Sequence, residues 1–308
     1  MTFHRRMPLA ALLCTAVALS ILPASATAGE TLVMKFKPGE TYGYLITQKM
    51  NVAGEAQGQT VNSEMGQTLS ISTHIKSVDE DGNAKAEQSI DRVQMKMVLP
   101  PPISQTIVYD TDSDEVPDNP IVKQMAEGLG KMVGEAISMT ISPQGKMSDV
   151  VVPEKVKATQ QAAGGAMGGA NQIEQMFKQS GLHLPAEEIS KGHTWEQTME
   201  MNLPYGKMVT TTTYTYKGQN EDGLHKIDAK MDVELQAGED APMKVTAETK
   251  EANGTFLFDN QAGRLKSSEI KQVLEMVIGG VAKQSITTEV TMTLTDGSKP
   301  ESSSRGDE

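Results

Sequence analysis

The stretch IKQVLEMVIGGVAKQSITTEVTMTL, residues 270–294, decides between two folds. Ile270, Val273, Leu274, Val277, Ile278 and Val281 recur at the spacing of one helix face. Yet Gly279-Gly280 stands between two runs rich in β-branched residues. Adjacent glycines supply the positive φ that a two-residue mirror-image hairpin turn needs at both central positions. The stretch also runs straight into the alternation Val290, Met292, Leu294, which is a strand pattern. A β-branched segment beside a strand pairs with it more readily than it switches type, so the hairpin is the favoured reading and a helix followed by a strand the alternative.

Moving outward, Ile227, Ala229, Met231, Val233 and Leu235 alternate with polar residues, and Thr210–Tyr216 is almost wholly β-branched or aromatic. Far upstream the same period of two recurs in Tyr42, Tyr44, Ile46, Gln48, Met50, Val52, then in Leu69, Ile71, Thr73, Ile75, then in Val93, Met95, Met97, Leu99. Asp79-Glu80-Asp81-Gly82-Asn83 and Asn220-Glu221-Asp222-Gly223 carry hairpin-turn chemistry, and Pro100-Pro101-Pro102 stops a strand. Lys37-Pro38-Gly39-Glu40-Thr41-Tyr42 and Lys191-Gly192-His193-Thr194-Trp195 open two segments of similar order, each with a later strand broken by a Gly turn (Ile141–Met147 and Phe258–Leu265). These signals predict a mainly β, antiparallel fold: two related β-meander units forming a curved sheet or open barrel, with one or two helices in the middle.

The domain reading follows. Residues 29–153 form a first β unit with a helix near 120–136, where Asn119 caps, Pro120 opens, and Ile121, Met125, Leu129, Met132, Val133 and Ala136 share a face. Residues 154–180 hold a Gly-rich loop, Gly164–Gly169, and a short helix near 171–179. Residues 181–295 form a second β unit, and 296–308 a polar, disordered tail. Residues 1–28 read as a signal peptide: Arg5-Arg6, an apolar run from Pro8 to Leu22, and Ala26-Thr27-Ala28 before Gly29. The expected destination is the periplasm or the extracellular space. No later run is long enough to span a membrane, so the processed chain is expected to be soluble.

Composition narrows the function. The chain has 308 residues, 40 acidic against 28 basic side chains and a net charge of -12. Its single cysteine, Cys14, lies inside the predicted signal, which leaves no disulfide scaffold, thiolate metal site or cysteine nucleophile after processing. Nucleic acid needs a basic surface and is disfavoured as a partner. The few aromatics (6 Tyr, 5 Phe, 1 Trp) argue against glycan stacking. Twenty methionines are the unusual excess.

The chain resembles an exported bacterial family of unknown function, domain of unknown function 6263. The resemblance rests on Phe36–Tyr42, on the acidic Tyr109-Asp110-Thr111-Asp112-Ser113-Asp114, on the strand with its Pro143-Gln144-Gly145 turn, and on Lys191–Trp195. It implies a β-dominated, extracytoplasmic protein and supplies no catalytic residues.

Asp110, Asp112 and Asp114 have the alternate spacing of the first ligands of a calcium loop. Glu115 and Ile121 stand where that loop needs Gly and a bidentate Glu, so a solvated acidic loop leading to the helix cap is the plainer reading of this weak Ca²⁺ candidate. Met95–Met97 and Met199–Met201 have the spacing of thioether sites for Cu(I); on strands that spacing also places both side chains in a core, or along an adaptable apolar groove. Histidines 74, 183, 193 and 225 show no zinc spacing, and there is no nucleophile elbow, P-loop or dinucleotide fingerprint. No cofactor is implied. The expected function is that of an exported, non-enzymatic protein binding an apolar or lipid-like small molecule. A structural or protein-interaction module of the envelope, or an extracytoplasmic hydrolase, are the alternatives.

Overall fold

The computed structural model describes residues 29–56, 59–100, 104–113, 120–162, 170–203, 206–238 and 244–297. The predicted signal peptide, the Gly164–Gly169 run, Asp114 and nearly all of the tail lie outside them. The first unit contains β1 (Thr41–Ala56), β2 (Gln59–Val78), β3 (Ala84–Val98), β4 (Thr106–Asp110), α1 (Pro120–Met132), β5 (Ile137–Ile141) and β6 (Met147–Val151). Two helices follow, α2 (Glu154–Ala162) and α3 (Ala170–Gln179). The rest is an uninterrupted meander, β7 (Thr194–Leu203), β8 (Gly206–Gln219), β9 (His225–Ala237), β10 (Val245–Asp259), β11 (Arg264–Ile278) and β12 (Ala282–Thr295).

All twelve strands belong to one antiparallel sheet, ordered β6-β5-β3-β2-β1-β12-β11-β10-β9-β8-β7, with β4 on β3. The segment 270–294 is the hairpin. Gly279 and Gly280 take φ of 63° and 75°, and the Val281 amide donates to the Ile278 carbonyl. This hairpin joins the two meanders, because β12 pairs along its length with β1, from Gly43↔Thr295 to Glu55↔Lys283. The two acidic turns are built alike. Asp79 Oδ1 accepts the amides of Asp81 and Asn83, and Asn220 Oδ1 accepts those of Asp222 and Leu224.

The sheet curls. Laid flat, eleven strands at ~4.8 Å spacing would set β6 and β7 roughly 48 Å apart, whereas a ten-residue helix is only ~15 Å long. Helix α3 nevertheless contacts both edge strands. Phe177 packs into the cluster under β5 and β6, and Gln197 of β7 donates to the carbonyls of Gln179 and Gly181. The sheet itself does not close; α3 and the chain after it bridge the gap. The face toward α3 is therefore the concave one.

Three details depart from expectation. Among the described residues there are three helices rather than one or two. Helix α2 forms at the start of the segment read as a loop; among its described side chains Val156 is the buried one, too sparse a pattern to show periodicity. Helix α1 stops at Met132 because Gly134 turns left-handed (φ 77°) and donates its amide to Ile90, leaving Ala136 exposed beyond it.

The segment Gly29–Glu40 acts as a strap across one end of the curled sheet. Glu30 exchanges backbone hydrogen bonds with Ile189, Met34 donates to Pro143, and Lys35 donates to Gly263. Leu32 is fully buried beneath it, in the cluster with Phe258, Tyr216 and Ile227, and Met34 packs against the clusters of both meanders. Arg264 fixes the strap's end: its guanidinium bonds Glu40 and the Lys35 carbonyl and lies 4.2 Å over the Tyr42 ring.

Candidate functional site

Strand alternation gives the concave sheet face a consistent chemistry. Ile46, Gln48, Met50 and Val52 of β1 pair directly with Met292, Val290, Thr288 and Ile286 of β12. Those four stand opposite Ser268, Ile270, Gln272 and Leu274 of β11. On the other flank come Leu69, Gln67 and Met65 of β2, then Val93, Met95 and Met97 of β3. In the second meander Met201 pairs with Met208 and Met208 with Leu235, while Met199 pairs with Thr210 and Thr210 with Val233. Over these strands, from the rows of Val93 and Trp195 to the β11–β12 hairpin, the face carries no Asp, Glu, Lys or Arg. The convex face holds the charges, including Lys271–Glu251, Lys250–Glu275 and Lys207–Glu200.

Burial divides this face in two. Near the strap it is filled: Tyr214, Phe256 and Phe258 are buried, with Trp195 stacked on Tyr214 at 5.3 Å. Toward the β11–β12 hairpin, Met50, Val52, Met199, Met201, Met208, Met276, Leu274 and Ile286 are only half-buried and belong to none of the buried clusters among the described residues. Val233, Val245 and Ala252 are the buried exceptions. Val245 lies at the far end of β10, whereas Ala252 and Val233 lie next to the place where the β9–β10 ladder ends, at Lys230↔Asn253. Beyond it the Thr249 hydroxyl bridges to the Val233 amide and carbonyl at 3.2 and 3.3 Å in place of a backbone partner. Ile270 still packs on the aromatic cluster; from Gln272 to Ile278 this half-open floor runs roughly 20 Å, longer than the ~15 Å acyl layer of one bilayer leaflet.

The two Met-x-Met pairs fare differently. Met95 is buried with Ile107, Tyr109 and Ala126, and Met65 and Met97 pack onto that cluster, so the first pair is core. Met199 and Met201 lie on the half-open floor. Every methionine of β1–β3 and β7–β12 is on the concave face.

The aspartate series is placed at the end of β4. Asp110 accepts from Arg92 Nε at 3.0 Å and Nη2 at 2.6 Å, with Gln94 and the Asp112 amide also donating to it. The Arg92 hydrogen bonds hold the Asp110 carboxyl down to about 2. Asp112 lies 3.6 Å from Arg92 Nε, and Asp114 lies outside the described residues. A cation here competes with a guanidinium already in place.

Sequence spacing gave no sign of a second grouping, because it joins Glu30 to Tyr216, Gln219 and His225, 186 residues or more downstream. His225, buried, places Nδ1 2.8 Å from the Tyr216 hydroxyl and 3.1 Å from Glu30 Oε2, and its ring stacks on Tyr216. Burial lowers the His225 pKa, while the carboxylates of Glu30 and Asp259 oppose it; burial pushes the Tyr216 hydroxyl up to about 12. Gln219 closes the group at 3.2 Å from His225 Nε2. Glu30, Tyr216 and Gln219 also line a cleft of about 250 Å³ with Ser190, Lys191 and Lys217 at its wall. The whole grouping lies under the strap, where it ties Glu30 to β8 and β9. No group of three or more His, Cys, Asp or Glu that could hold a metal ion occurs among the described residues.

Residues 81–265 match the model of a family described as "Family of unknown function (DUF6263)". The chain belongs to that family. The match runs from the β2–β3 turn to the start of β11, so it takes in all three helices and the half-open strands β7–β10 of DUF6263. No curated protein matches. Among solved structures the chain is similar to lipovitellin, from work titled "Lipid-protein interactions in lipovitellin", at 14% identity and a TM-score of 0.47 over 88% of this chain. It spans 27% of that chain. A second similarity is to DynF of the dynemicin biosynthesis pathway of Micromonospora chersina, at 7% identity and a TM-score of 0.22, over 91% of this chain and 92% of that one. No helix among the described residues is long and apolar enough to cross a membrane.

Proposed function

We propose that this protein is an exported, non-enzymatic binding protein whose concave sheet face takes an uncharged, apolar or lipid-like ligand. One observation carries the reading: a face spanning β3 to β7 that excludes charge throughout, yet leaves its apolar side chains half-exposed over the hairpin-side half. Apolar surface left in contact with water costs ~25 cal/mol per Å². A contiguous, charge-free expanse of it is the mark of a binding surface. The flexible thioethers on that floor let one surface repack around ligands of different shape.

Titration with the apolar fluorophore N-phenyl-1-naphthylamine tests it. The wild-type chain is expected to enhance its emission saturably. Leu274→Glu places a carboxylate between Ile286 and Thr249 on a half-buried site and is expected to weaken binding by at least ~10-fold while the protein stays folded, since a charge among apolar groups is desolvated by the ligand. Equal binding by both proteins, or none by the wild type together with lipid-free solvent extracts, would overturn the reading. N-terminal sequencing of the protein recovered from its native host tests export: a start at Gly29 supports it, a start at Met1 refutes it.

A further inference from the structure

The Met199–Met201 spacing leaves a core and a soft-metal site open in the sequence, and in the fold it is not core. Both side chains are half-buried and belong to none of the buried clusters among the described residues. The register brings a third thioether to them. Met201 of β7 stands directly opposite Met208 of β8, and Met199 stands opposite Thr210, one diagonal step from Met208. Directly opposed Cβ atoms of an antiparallel pair lie ~5 Å apart and diagonal ones ~7–8 Å. Met199 and Met201 are separated by the rise of two residues, ~7 Å. Each sulfur sits two bonds beyond Cβ on a flexible arm, so three of them can meet above a triangle of that size. Because β7 is an edge strand of the sheet, the triangle lies at the open border of the floor.

We infer that Met199, Met201 and Met208 form a thioether site for a soft monovalent cation, Cu(I). This site is independent of the apolar-ligand reading. Thioethers are soft ligands that suit Cu(I), whereas imidazole suits Zn(II) and Cu(II), and carboxylate suits Ca(II) and Mg(II). The border offers neither of the harder groups: Glu196 and Glu200 alternate onto the other face of β7, where Glu200 pairs with Lys207. A need for apolar surface does not explain the choice of methionine. Aliphatic side chains meet that need on the same floor, at Val52, Leu274, Ile286 and Leu235, and β-branched residues fit a strand better. What three sulfurs add at one border is ligation. Neutral ligands leave the ion its single positive charge, and at a half-open border that charge stays in contact with water instead of being buried. The other pair lacks such an opening, since Met95 is buried with Ile107, Tyr109 and Ala126.

The test uses the full-length protein. Ag(I), a redox-inert stand-in for Cu(I), is titrated calorimetrically in chloride-free buffer, and Cu(I) itself is measured in competition with bicinchoninate under ascorbate. Carbon-13 labelling of the methionine ε-methyl groups reads which thioethers respond. One equivalent is expected to bind and to shift the signals of Met199, Met201 and Met208 ahead of all others, with assignment from the single Met→Leu variants. The triple variant M199L/M201L/M208L keeps side-chain volume and apolar character. It is expected to lose affinity by at least ~10-fold, the scale on which even outer-shell partners of a metal ligand act. M95L/M97L is expected to bind as the wild type does. A wild type that gives no heat and no methyl shift, or a triple variant that binds as tightly as the wild type, overturns the inference. So does uptake of several equivalents with shifts spread over the methionines, which would be adventitious thioether binding only. Since the triple variant stays apolar, its enhancement of N-phenyl-1-naphthylamine emission is expected to be unchanged. Silver binding by a chain that does not bind the fluorophore supports the metal site and refutes the ligand reading; fluorophore binding without silver binding does the reverse.

Discussion

Asp110→Asn separates the stability of the β3–β4 corner from every other part of the fold. Arg92 is 7% exposed, and its main partner is the Asp110 carboxylate, gripped through two hydrogen bonds. The carboxyl is held down to about 2, against ~3.9 for an ordinary aspartate. A gap of that size is worth on the order of 2.5 kcal/mol, which solvent at this partly open carboxylate reduces to ~1–2 kcal/mol. The sign follows from a depressed acid: the stabilisation is complete above ~pH 5 and drains away as pH falls toward 2. The amide variant also leaves a buried guanidinium with Asp112 at 3.6 Å as its nearest carboxylate, so the loss at pH 7 is expected to reach ~2–4 kcal/mol. Urea unfolding at pH 7, 5 and 3, followed by far-UV circular dichroism, measures it. The wild-type advantage should shrink by ~0.5–1 kcal/mol between pH 5 and pH 3, about half of the whole, because the folded carboxyl titrates near 2. An advantage below ~0.5 kcal/mol at pH 7, or one that does not change with pH, would refute the pairing as a source of stability. Because Arg92 already neutralises the site, calorimetric titration with Ca²⁺ is expected to show no heat.

Leu32→Ala removes a fully buried side chain from the strap and should cost ~2–5 kcal/mol in urea unfolding; a loss under ~1 kcal/mol would mean the strap is dispensable. His225 is a base whose pKa is lowered by burial. The unfolded chain therefore takes the proton first, and stability should decline as pH drops below ~6.5; His225→Phe should flatten that part of the pH profile, and an unchanged profile refutes the assignment. Asp79→Ala and Asn220→Ala each delete a side chain accepting two turn amides, and each should cost ~1 kcal/mol; a difference between them beyond ~1 kcal/mol would show that the two turns are not equivalent.

Strand positions were legible in the sequence because alternation is enforced twice, once by the pleat and once by the contrast between a charged face and an uncharged one. In the 270–294 segment a helical spacing competed with a strand spacing, and the glycine pair settled it, since two consecutive left-handed residues fit a mirror-image turn and not a helix. Helix α2 was hidden because, among its described side chains, the apolar signal comes down to Val156. The Glu30–Tyr216–His225 group was hidden for a different reason: Glu30 lies 186 residues or more from the other two, and the strap's backbone pairing with Ile189 brings it to them. In the aspartate series, Asp110 and Asp112 meet Arg92 on the adjacent strand β3, 18 residues before Asp110, a partner that spacing within the series does not reveal.

The methionine excess has a structural explanation that the pairs alone did not supply. A curled sheet of long strands must fill a concave face whose radius changes from one end to the other. At the strap end aromatic rings do this: Trp195 stacks on Tyr214, Tyr214 crosses Phe256 edge to face, and Phe258 is buried in the same cluster. Rings are rigid, and a ring-filled core admits nothing else. Toward the hairpin end the rings give way to unbranched thioethers, at Met50, Met199, Met201, Met208 and Met276, while the charge exclusion continues unbroken. Had these positions served only to finish the core, burial would be expected to continue with them; instead they stop at half-burial. The sheet thus changes from a surface packed against itself to one still able to pack against something else.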